Sequence, residues 1–318
     1  MPPSPESLSR PLRFQPLFME RIWGGRRLAT LYGKSLPPNV PIGESWEIVD
    51  RPEAQSVVAD GPWRGRTLHD LWQHERLSVF GEVTDAPRFP LLLKLLDARE
   101  KLSLQVHPPA EIAHKLGGEP KTEFWYIADT TPSAELFVGL KKTSGRAELD
   151  QALANGTAEE HVHRIPVRAG DAMFLPSGRM HAIGAGNVIV EIQQNSDTTY
   201  RVFDWNRLDA EGKPRQLHIA ESMRAIDFED HEPGLITPAG ESLLRDPLFN
   251  IDKWTLTTAR AAAAPGSFAI LACLAGELSC AGIRIKPGGF LLLPACLEDR
   301  GVHPVAAGTT LLRITIGG

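Results

Sequence analysis

The sequence predicts a mainly β fold made of barrels or sandwiches of short strands. Many short β-forming runs are separated by Gly and Pro, of which the 318-residue chain has 28 and 26. Residues 167–177 (VRAGDAMFLPS) and 285–295 (IKPGGFLLLPA) also align without gaps, each reading as a turn with Gly at its bend, an apolar strand and a Pro. A duplication would give two related barrels, the second from about residue 240. Chance similarity of two β-turn units is the alternative.

Helical patterning is limited to three stretches, which we expect to cover a β core. Thr67–Phe80 gathers its apolar side chains near one face and starts with Thr67, a residue type favoured at helix N-caps. Ser144–Ala154 has a similar start and apolar side, and Gln216–Ile226 is the third predicted helix.

The run from Leu91 to Leu96 predicts a strand buried on both faces, because it is apolar at every position except Lys94. A buried lysine costs several kcal/mol unless its ammonium group meets an anion or water. The structural interpretation is that Lys94 reaches a barrel mouth with its charge in solvent. The functional interpretation is that Lys94 binds a ligand.

The following run, Ser103–Pro108, alternates between polar and apolar residues. On a strand, Ser103, Gln105 and His107 share one face and aliphatic residues share the other. One wall therefore carries a hydroxyl, a carboxamide and an imidazole. His107 taken alone is equally compatible with a hydrogen-bonded core histidine.

Composition narrows the class of protein. Hydrophobic content of 42% and charged content of 23% are ordinary for a globular protein, and a net charge of -5 argues against nucleic-acid binding. The N-terminus lacks a secretory apolar core, and no apolar run approaches the ~20 residues that span a bilayer. Three cysteines without a C-x-x-C pair indicate buried thiols in a reducing cytoplasm. We therefore expect a cytoplasmic protein without membrane or nucleic-acid partners.

Four side chains form a candidate metal site. Gln105, His107, Glu123 and His181 offer a carbonyl oxygen, two imidazole nitrogens and a carboxylate. This set suits a divalent ion such as Zn²⁺ with one position left for water or substrate, and the lack of thiolate argues against a purely structural zinc. Lys121 shares a face with Glu123 if residues 121–127 form a strand, which places a charge beside the site.

A further segment with polar candidate residues follows at residues 187–207. Residues 188–193 predict a strand with Glu191 facing one way, and the chain resumes an extended run from Tyr200 to Trp205. Arg201 could pair with Asp204 or Asp197 across a turn. In the functional interpretation it offers a planar fork to an anionic substrate instead.

The chain resembles the type I mannose-6-phosphate isomerases, or phosphomannose isomerases, of the shorter bacterial kind in the cupin superfamily. The resemblance covers residues 22 to about 218, and the C-terminal stretch matches poorly. The matching motifs, in order, are IWGG, GESWE, LLLKLLDAREKLSLQVHP, KTEFWYI, GDAMFLPSGRMHAIGAG and VEIQQNSDTTYRVFDWNR.

The resemblance implies two cupin-type (jelly-roll) β-barrels with a few covering helices. Residues 1–238 would form the catalytic, metal-binding domain, and residues 239–318 a degenerate domain without metal that serves for packing or assembly. The implied reaction interconverts mannose 6-phosphate and fructose 6-phosphate with one Zn²⁺ per chain, in a monomer or homodimer.

The resemblance also implies roles for individual residues. The metal ligands would be Gln105, His107, Glu123 and His181; the catalytic residues Arg201, Glu191 and Lys121; the substrate-binding residues Lys94 and Ser103. Within this scheme we expect Arg201 to stabilise negative charge near C1 and C2, Glu191 to transfer the proton, and Lys121 to assist ring opening. Lys94 and a surface arginine or lysine would hold the phosphate.

Two rival functions fit the same fold, because cupin barrels host many chemistries. One is another cupin metalloenzyme, such as an oxygenase or an isomerase of a different sugar phosphate. The other is a non-catalytic sugar-binding protein. The cationic residues Lys94, Lys121 and Arg201 favour an anionic sugar, and the retained metal ligands and arginine favour an enzyme.

Overall fold

The computed structural model describes residues 10–83, 85–208 and 212–317, and its mainly β fold confirms the prediction. The strands of the first half are β1 (Leu17–Gly25), β2 (Ile42–Ile48), β3 (Asp50–Arg51), β4 (Ala54–Gln55), β5 (Leu91–Ala98), β6 (Leu104–Val106), β7 (Glu123–Thr130), β8 (Glu135–Leu140), β9 (Val162–Pro166), β10 (Ala172–Leu175), β11 (His181–Ile183), β12 (Asn187–Gln194) and β13 (Tyr200–Phe203). Those of the second half are β14 (Ser242–Arg245), β15 (Phe249–Thr255), β16 (Arg260–Ala261), β17 (Ala269–Ala275), β18 (Leu278–Cys280), β19 (Ile283–Ile285), β20 (Phe290–Leu293), β21 (Gly301–Pro304) and β22 (Thr310–Ile316).

The strands form two β-sandwiches. The first sandwich consists of a sheet with the order β1-β2-β5-β12-β7-β10 and a sheet with the order β13-β6-β11-β8-β9. The second sandwich consists of sheets β14-β15-β22-β17-β20 and β16-β21-β18-β19. Apolar side chains from both sheets fill the interior of each sandwich. A further cluster joins the outer face of the first sandwich's larger sheet to the outer face of the corresponding sheet in the second sandwich.

The topology supports the duplication suggested by the sequence. Strands β2, β5, β7, β10 and β12 have the same chain order and the same neighbours as β14, β15, β17, β20 and β22. Strands β10 and β20 occupy the same positions of the two aligned segments. Gly170 and Gly288, also aligned, both have positive φ at the preceding bend, a backbone conformation that favours glycine. The division into residues 1–238 and 239–318 stays a prediction.

Strand β5 is buried along its whole length, as its apolar run predicts. Leu91, Leu93 and Leu95 face the cluster that joins the two sandwiches. Lys94 and Leu96 are on the opposite face, inside the first sandwich, and Lys94 is buried rather than extended into solvent. The alternation therefore assigns one face of β5 to packing between sandwiches and the other to a polar interior.

The three predicted helices lie near their expected positions with different ends, whereas the first and fourth helices along the chain were not predicted. The six α-helices of the described residues are α1 (Arg27–Tyr32), α2 (Leu68–His74), α3 (Arg76–Phe80), α4 (Ala110–Ala113), α5 (Arg146–Asn155) and α6 (Ile219–Ala225), and two short 3-10 helices cover His114–Leu116 and Ala158–His161. The predicted helix from Thr67 is divided at Glu75, and the Thr67 hydroxyl caps its first part by accepting from Asp70 N at 3.0 Å. Ser144 does not start a helix, because its hydroxyl pairs with His161 Nδ1 and α5 begins after Gly145.

Two further predictions concern the cysteines and membranes. All three cysteines are free; Cys273 and Cys280 are buried, but Cys296 is only half-buried, so the prediction of buried thiols is wrong for that residue. Within the described ranges, no helix has the length and apolar character needed to cross a bilayer.

Candidate metal centre and active-site cavity

Strand register brings the predicted polar residues of the smaller sheet into one row. His181 of β11 is directly opposite Gln105 of β6, and Gln105 is directly opposite Arg201 of β13. Side chains opposite one another on paired strands point to the same face of the sheet. The row therefore places an imidazole, a carboxamide and a guanidinium side by side, although the sequence separates Gln105 from Arg201 widely.

Three of the predicted ligands meet inside the first sandwich. The donor atoms of His107, Glu123 and His181 all lie within 4.8 Å of one another, and all three residues are buried. His107 Nε2 is 3.2 Å from Glu123 Oε1, and His181 Nε2 is 3.7 Å from Glu123 Oε2. Gln105 Nε2 lies 3.3 Å from His181 Nε2, so the carboxamide borders the cluster. Such a group can hold one metal ion in common.

Backbone carbonyls orient both imidazoles. Thr198 O accepts from His107 Nδ1 at 2.9 Å, and Arg179 O accepts from His181 Nδ1 at 2.9 Å. Because a carbonyl can only accept, each Nδ1 carries the ring proton and each Nε2 presents its lone pair to Glu123. Metal-binding histidines are held in this way in proteins.

Three of the four donor atoms of the cluster have no hydrogen-bond partner in the described part of the chain. His107 Nε2 and both Glu123 oxygens are buried without a hydrogen-bond partner there, although Lys121 Nζ lies 2.9 Å from Glu123 Oε1. A buried polar atom left unpaired costs about 1–3 kcal/mol. Three such atoms aimed at one point fit a divalent cation that satisfies them together.

Electrostatics keep the cluster in the protonation state that a metal needs. Burial, followed by the charge of the nearby Lys121, lowers the pKa of His107 to about 3. Burial likewise lowers the pKa of His181. Burial alone would raise the pKa of Glu123, but Lys121 and His107 hold it well below its ordinary range. Two neutral imidazoles and an ionised carboxylate are ready to bind a cation without losing protons.

A second polar row crosses the larger sheet. Lys94 of β5 is opposite Glu191 of β12, which is opposite Trp125 of β7. Lys94 Nζ is 3.2 Å from Glu191 Oε2, and Trp125 Nε1 donates to Glu191 Oε1 at 2.8 Å. Burial and the charge of Glu123 raise the pKa of Glu191 to about 7, against the opposing effect of Lys94. Glu191 can therefore both accept and release a proton near neutral pH.

Glu44 of β2 is a second carboxylate beside Lys94, at 3.9 Å from its Nζ. Arg21 Nε donates to Glu44 Oε1 at 2.9 Å, and Trp46 Nε1 donates to Oε2 at 2.5 Å. Burial by itself would raise the pKa of Glu44, but Lys94 and Arg21 lower it. Lys94 therefore contacts two carboxylates inside the protein.

The arginine of the first row is not in an ion pair with Asp204. Asp204 accepts from Arg207 and Arg215 instead, with Arg215 Nε at 2.7 Å. Arg201 Nη1 donates to the carbonyl of Gln216 at 2.6 Å, and Arg201 Nε has no partner among the described residues. The guanidinium of Arg201 thus retains donors for a ligand.

Both polar rows contribute side chains to one cavity of about 330 Å³. Its wall includes Gln105 and Lys121, the neighbours of the metal cluster, but not His107, Glu123 or His181. Ser103, which is buried, is part of its wall, as are Gln105 and Arg201. Five cationic and three acidic side chains of the described residues line the cavity, which gives an excess of two positive charges. The cationic ones are Arg21, Lys94, Lys121, Arg201 and Arg215, and the acidic ones are Glu44, Glu191 and Asp197.

The sequence did not assign several of these residues to the cavity. Arg21, Trp23, Glu44, Thr199 and Arg215 line it without a predicted role. Asp197, also in its wall, was considered only as an ion-pair partner for Arg201. The motifs that contain or adjoin these residues, such as GESWE, were the available signals for them in the sequence. The spacing of the glutamates in GESWE does not by itself indicate a site.

The chain is similar to one enzyme family over most of its length. Residues 12–126 match the family model described as phosphomannose isomerase type I, catalytic domain. Mannose-6-phosphate isomerase ManA of Bacillus subtilis (strain 168) is 38% identical over 304 residues, covering 92% of this chain and 95% of that protein. The mannose-6-phosphate isomerase of Streptococcus mutans is 36% identical over 305 residues, covering 92% and 95%. A crystal structure of the Bacillus subtilis mannose 6-phosphate isomerase superposes with a TM-score of 0.85 at 36% identity, covering 96% of this chain and 99% of that one.

Proposed function

The chain belongs to the type I phosphomannose isomerase family, and from that membership we propose the reaction and the role of each residue in the cavity. The reaction is the interconversion of mannose 6-phosphate and fructose 6-phosphate by a metal-dependent aldose–ketose isomerase. The observation that carries the proposal is the trio of buried, unpaired donor atoms on His107 and Glu123, next to Lys121, which lines a cavity with an excess of positive charge.

We assign the metal position to His107, Glu123 and His181, with Gln105 as a fourth ligand. Nitrogen and oxygen donors in this number suit Zn²⁺, one per chain. When bound there, the ion supplies Lewis-acid polarisation of the sugar oxygens. Lys121, beside Glu123, keeps that carboxylate ionised for this purpose.

The phosphate of the substrate is a dianion and needs charge-assisted donors. The excess of two positive charges in the cavity matches it. Lys94 is already flanked by Glu44 and Glu191, so we assign it, with Ser103, to the sugar within the cavity. Arg215 is the arginine that we propose to bind the phosphate, together with Lys94 through longer-range attraction.

Isomerisation moves a proton between C2 and C1 of the open-chain sugar. Glu191 takes the proton from C2 and returns it to C1, for which its pKa of about 7 is suited. Arg201 donates to the oxygens on which negative charge develops, through donors that no carboxylate engages. Lys121 exchanges a proton with the ring oxygen during ring opening.

The cellular location and the oligomeric state of the enzyme belong to the same proposal. Three free cysteines, with no partner thiol bonded to them, support a cytoplasmic location. The assembly is a monomer or a homodimer.

The test is turnover of mannose 6-phosphate in a coupled assay, before and after chelation, with elemental analysis of the same sample. Turnover that disappears with the metal and returns when zinc is restored supports the proposal. Oxygen consumption measured in parallel tests the oxygenase alternative. Full turnover of mannose 6-phosphate by protein proved free of metal would refute the proposed metal-dependent isomerase.

A further inference from the structure

The strand positions around the candidate metal site and its cavity, which we call the catalytic cavity, have counterparts in the second sandwich. These counterparts carry different side chains. In the aligned segments, Leu175 corresponds to Leu293. Leu175 is opposite Glu123 in the first sandwich, and Leu293 is opposite Ala269 in the second. The carboxylate of the candidate metal site is therefore replaced by a methyl group, so this position has lost its metal ligand.

The buried ion pair of the catalytic cavity has a counterpart of opposite polarity. Glu191 is opposite Trp125 and Lys94 in the first sandwich. At the corresponding strand positions, Arg313 is opposite Leu271 and Asp252. Arg313 Nη1 is 2.9 Å from Asp252 Oδ2. The arginine thus takes the place of the glutamate, and the aspartate takes the place of the lysine.

Arg313 and Asp252 line a cavity of about 550 Å³ in the second sandwich, which we call the second cavity. Arg245 pairs with the other oxygen of Asp252. The guanidinium of Arg260 lies 3.8 Å from the ring centre of Trp254, and that of Arg313 lies 5.5 Å from the same ring. Three guanidinium groups therefore converge around one aspartate and one indole.

The arginines keep donors for a ligand. Both hydrogen bonds from Arg260 to Glu241 come from Nη1, so Nε and Nη2 are outside that ion pair. Arg313 uses Nε on the carbonyl of Ala262 and Nη1 on Asp252, which fixes its orientation. Three arginines against Asp252 and Glu241 give this cavity an excess of one positive charge among the described residues.

We propose that the second cavity binds a phosphate-type oxyanion through Arg245, Arg260 and Arg313, as a site separate from the catalytic cavity. Guanidinium groups match the oxygens of phosphate in pairs, and the excess of positive charge favours an anion over a cation. The phosphate is either inorganic phosphate or the phosphate group of a sugar phosphate. The inference does not depend on the isomerase reaction.

The test is calorimetric titration of inorganic phosphate, and separately of mannose 6-phosphate, into the full-length, metal-loaded protein at constant ionic strength. The test is made in an Arg215→Ala background, which removes the arginine that we propose to bind phosphate in the catalytic cavity. In that background, Arg245→Ala combined with Arg260→Ala should weaken phosphate binding at least about tenfold, because hydrogen bonds to charged groups are lost. If the combined variant does not fold, Arg260→Ala alone is used for the test, because the Arg260 side chain is half-exposed and its removal should be tolerated by the fold.

Arg284→Ala in the same background is the matched control. It removes one exposed arginine from the second sandwich outside the second cavity and should leave the affinity unchanged. A loss of affinity on Arg260→Ala that is larger for mannose 6-phosphate than for inorganic phosphate identifies a sugar phosphate as the ligand of the second cavity, and equal losses identify the phosphate group alone. The proposal is overturned if phosphate does not bind saturably, if Arg260→Ala has no effect, or if Arg284→Ala weakens binding equally.

Discussion

Replacing Lys94 with methionine removes the only cation between two buried carboxylates in the described structure. Lys94 is 4% exposed, and its Nζ is 3.2 Å from Glu191 and 3.9 Å from Glu44. Breaking a buried pair from one side leaves an uncompensated charge and costs about 3–5 kcal/mol. Glu44 keeps Arg21 and Trp46 as donors, so the loss falls mainly on Glu191. We expect Lys94→Met to lower the free energy of unfolding by about 3 kcal/mol.

The measurement is urea unfolding followed by circular dichroism, on chelated protein, because bound metal would add its own stabilisation. Lys94→Met combined with Glu191→Gln removes both charges and should recover about 2 kcal/mol of the loss, which a double-mutant cycle reports as coupling. Lys142→Met is the control, because the Lys142 side chain pairs with Glu232 but is 75% exposed. This substitution should change the free energy of unfolding by less than about 0.5 kcal/mol. Additive single effects, or a loss below about 1 kcal/mol for Lys94→Met, would refute the reasoning.

Three further outcomes follow from the site and the fold. Arg201→Ala should lower kcat about 10²–10³-fold with zinc content unchanged, and Arg201→Lys should recover little because a lysine lacks the planar fork; near-normal kcat would exclude its catalytic role. Gln105→Ala should retain zinc at reduced affinity, whereas His181→Ala should lose it, as elemental analysis after dialysis would show; equal retention would remove His181 from the ligand set. Iodoacetamide should label the half-buried Cys296 in native protein but not Cys273, because burial raises the pKa of the Cys273 thiol to about 12; mass spectrometry showing both labelled would contradict this.

The parts of the site that alternate along single strands could be predicted from the sequence. Lys94 interrupts an apolar run, and Gln105 lies on the polar face of a short strand, so each position was visible locally. The interpretation that Lys94 holds its charge in solvent is wrong, because strand register places Glu191 directly opposite and the ammonium is paired inside the sandwich. The interpretation that Lys94 binds a ligand stays a prediction. Neither the periodicity nor the composition of the sequence predicts that strand register.

Residues that reach the cavity from distant strands could not be predicted. Arg21 and Glu44 depend on the pairing of β1 with β2, and Arg215 reaches the cavity from a segment bonded to Asp204. The same limit applies to the second cavity, where Asp252 and Arg313 are 61 residues apart and become neighbours only through the pairing of β15 with β22. Local signals specify strands, and tertiary pairing decides which side chains share a cavity.

The central claim is that His107, Glu123 and His181 hold one divalent ion in common. It is tested most directly by an anomalous difference map from crystals of zinc-loaded protein, with the zinc content determined beforehand. The account predicts a single strong peak about 2.0–2.2 Å from His107 Nε2, His181 Nε2 and a Glu123 oxygen. A fully zinc-loaded protein whose peak lies elsewhere, or contacts neither imidazole, would contradict it.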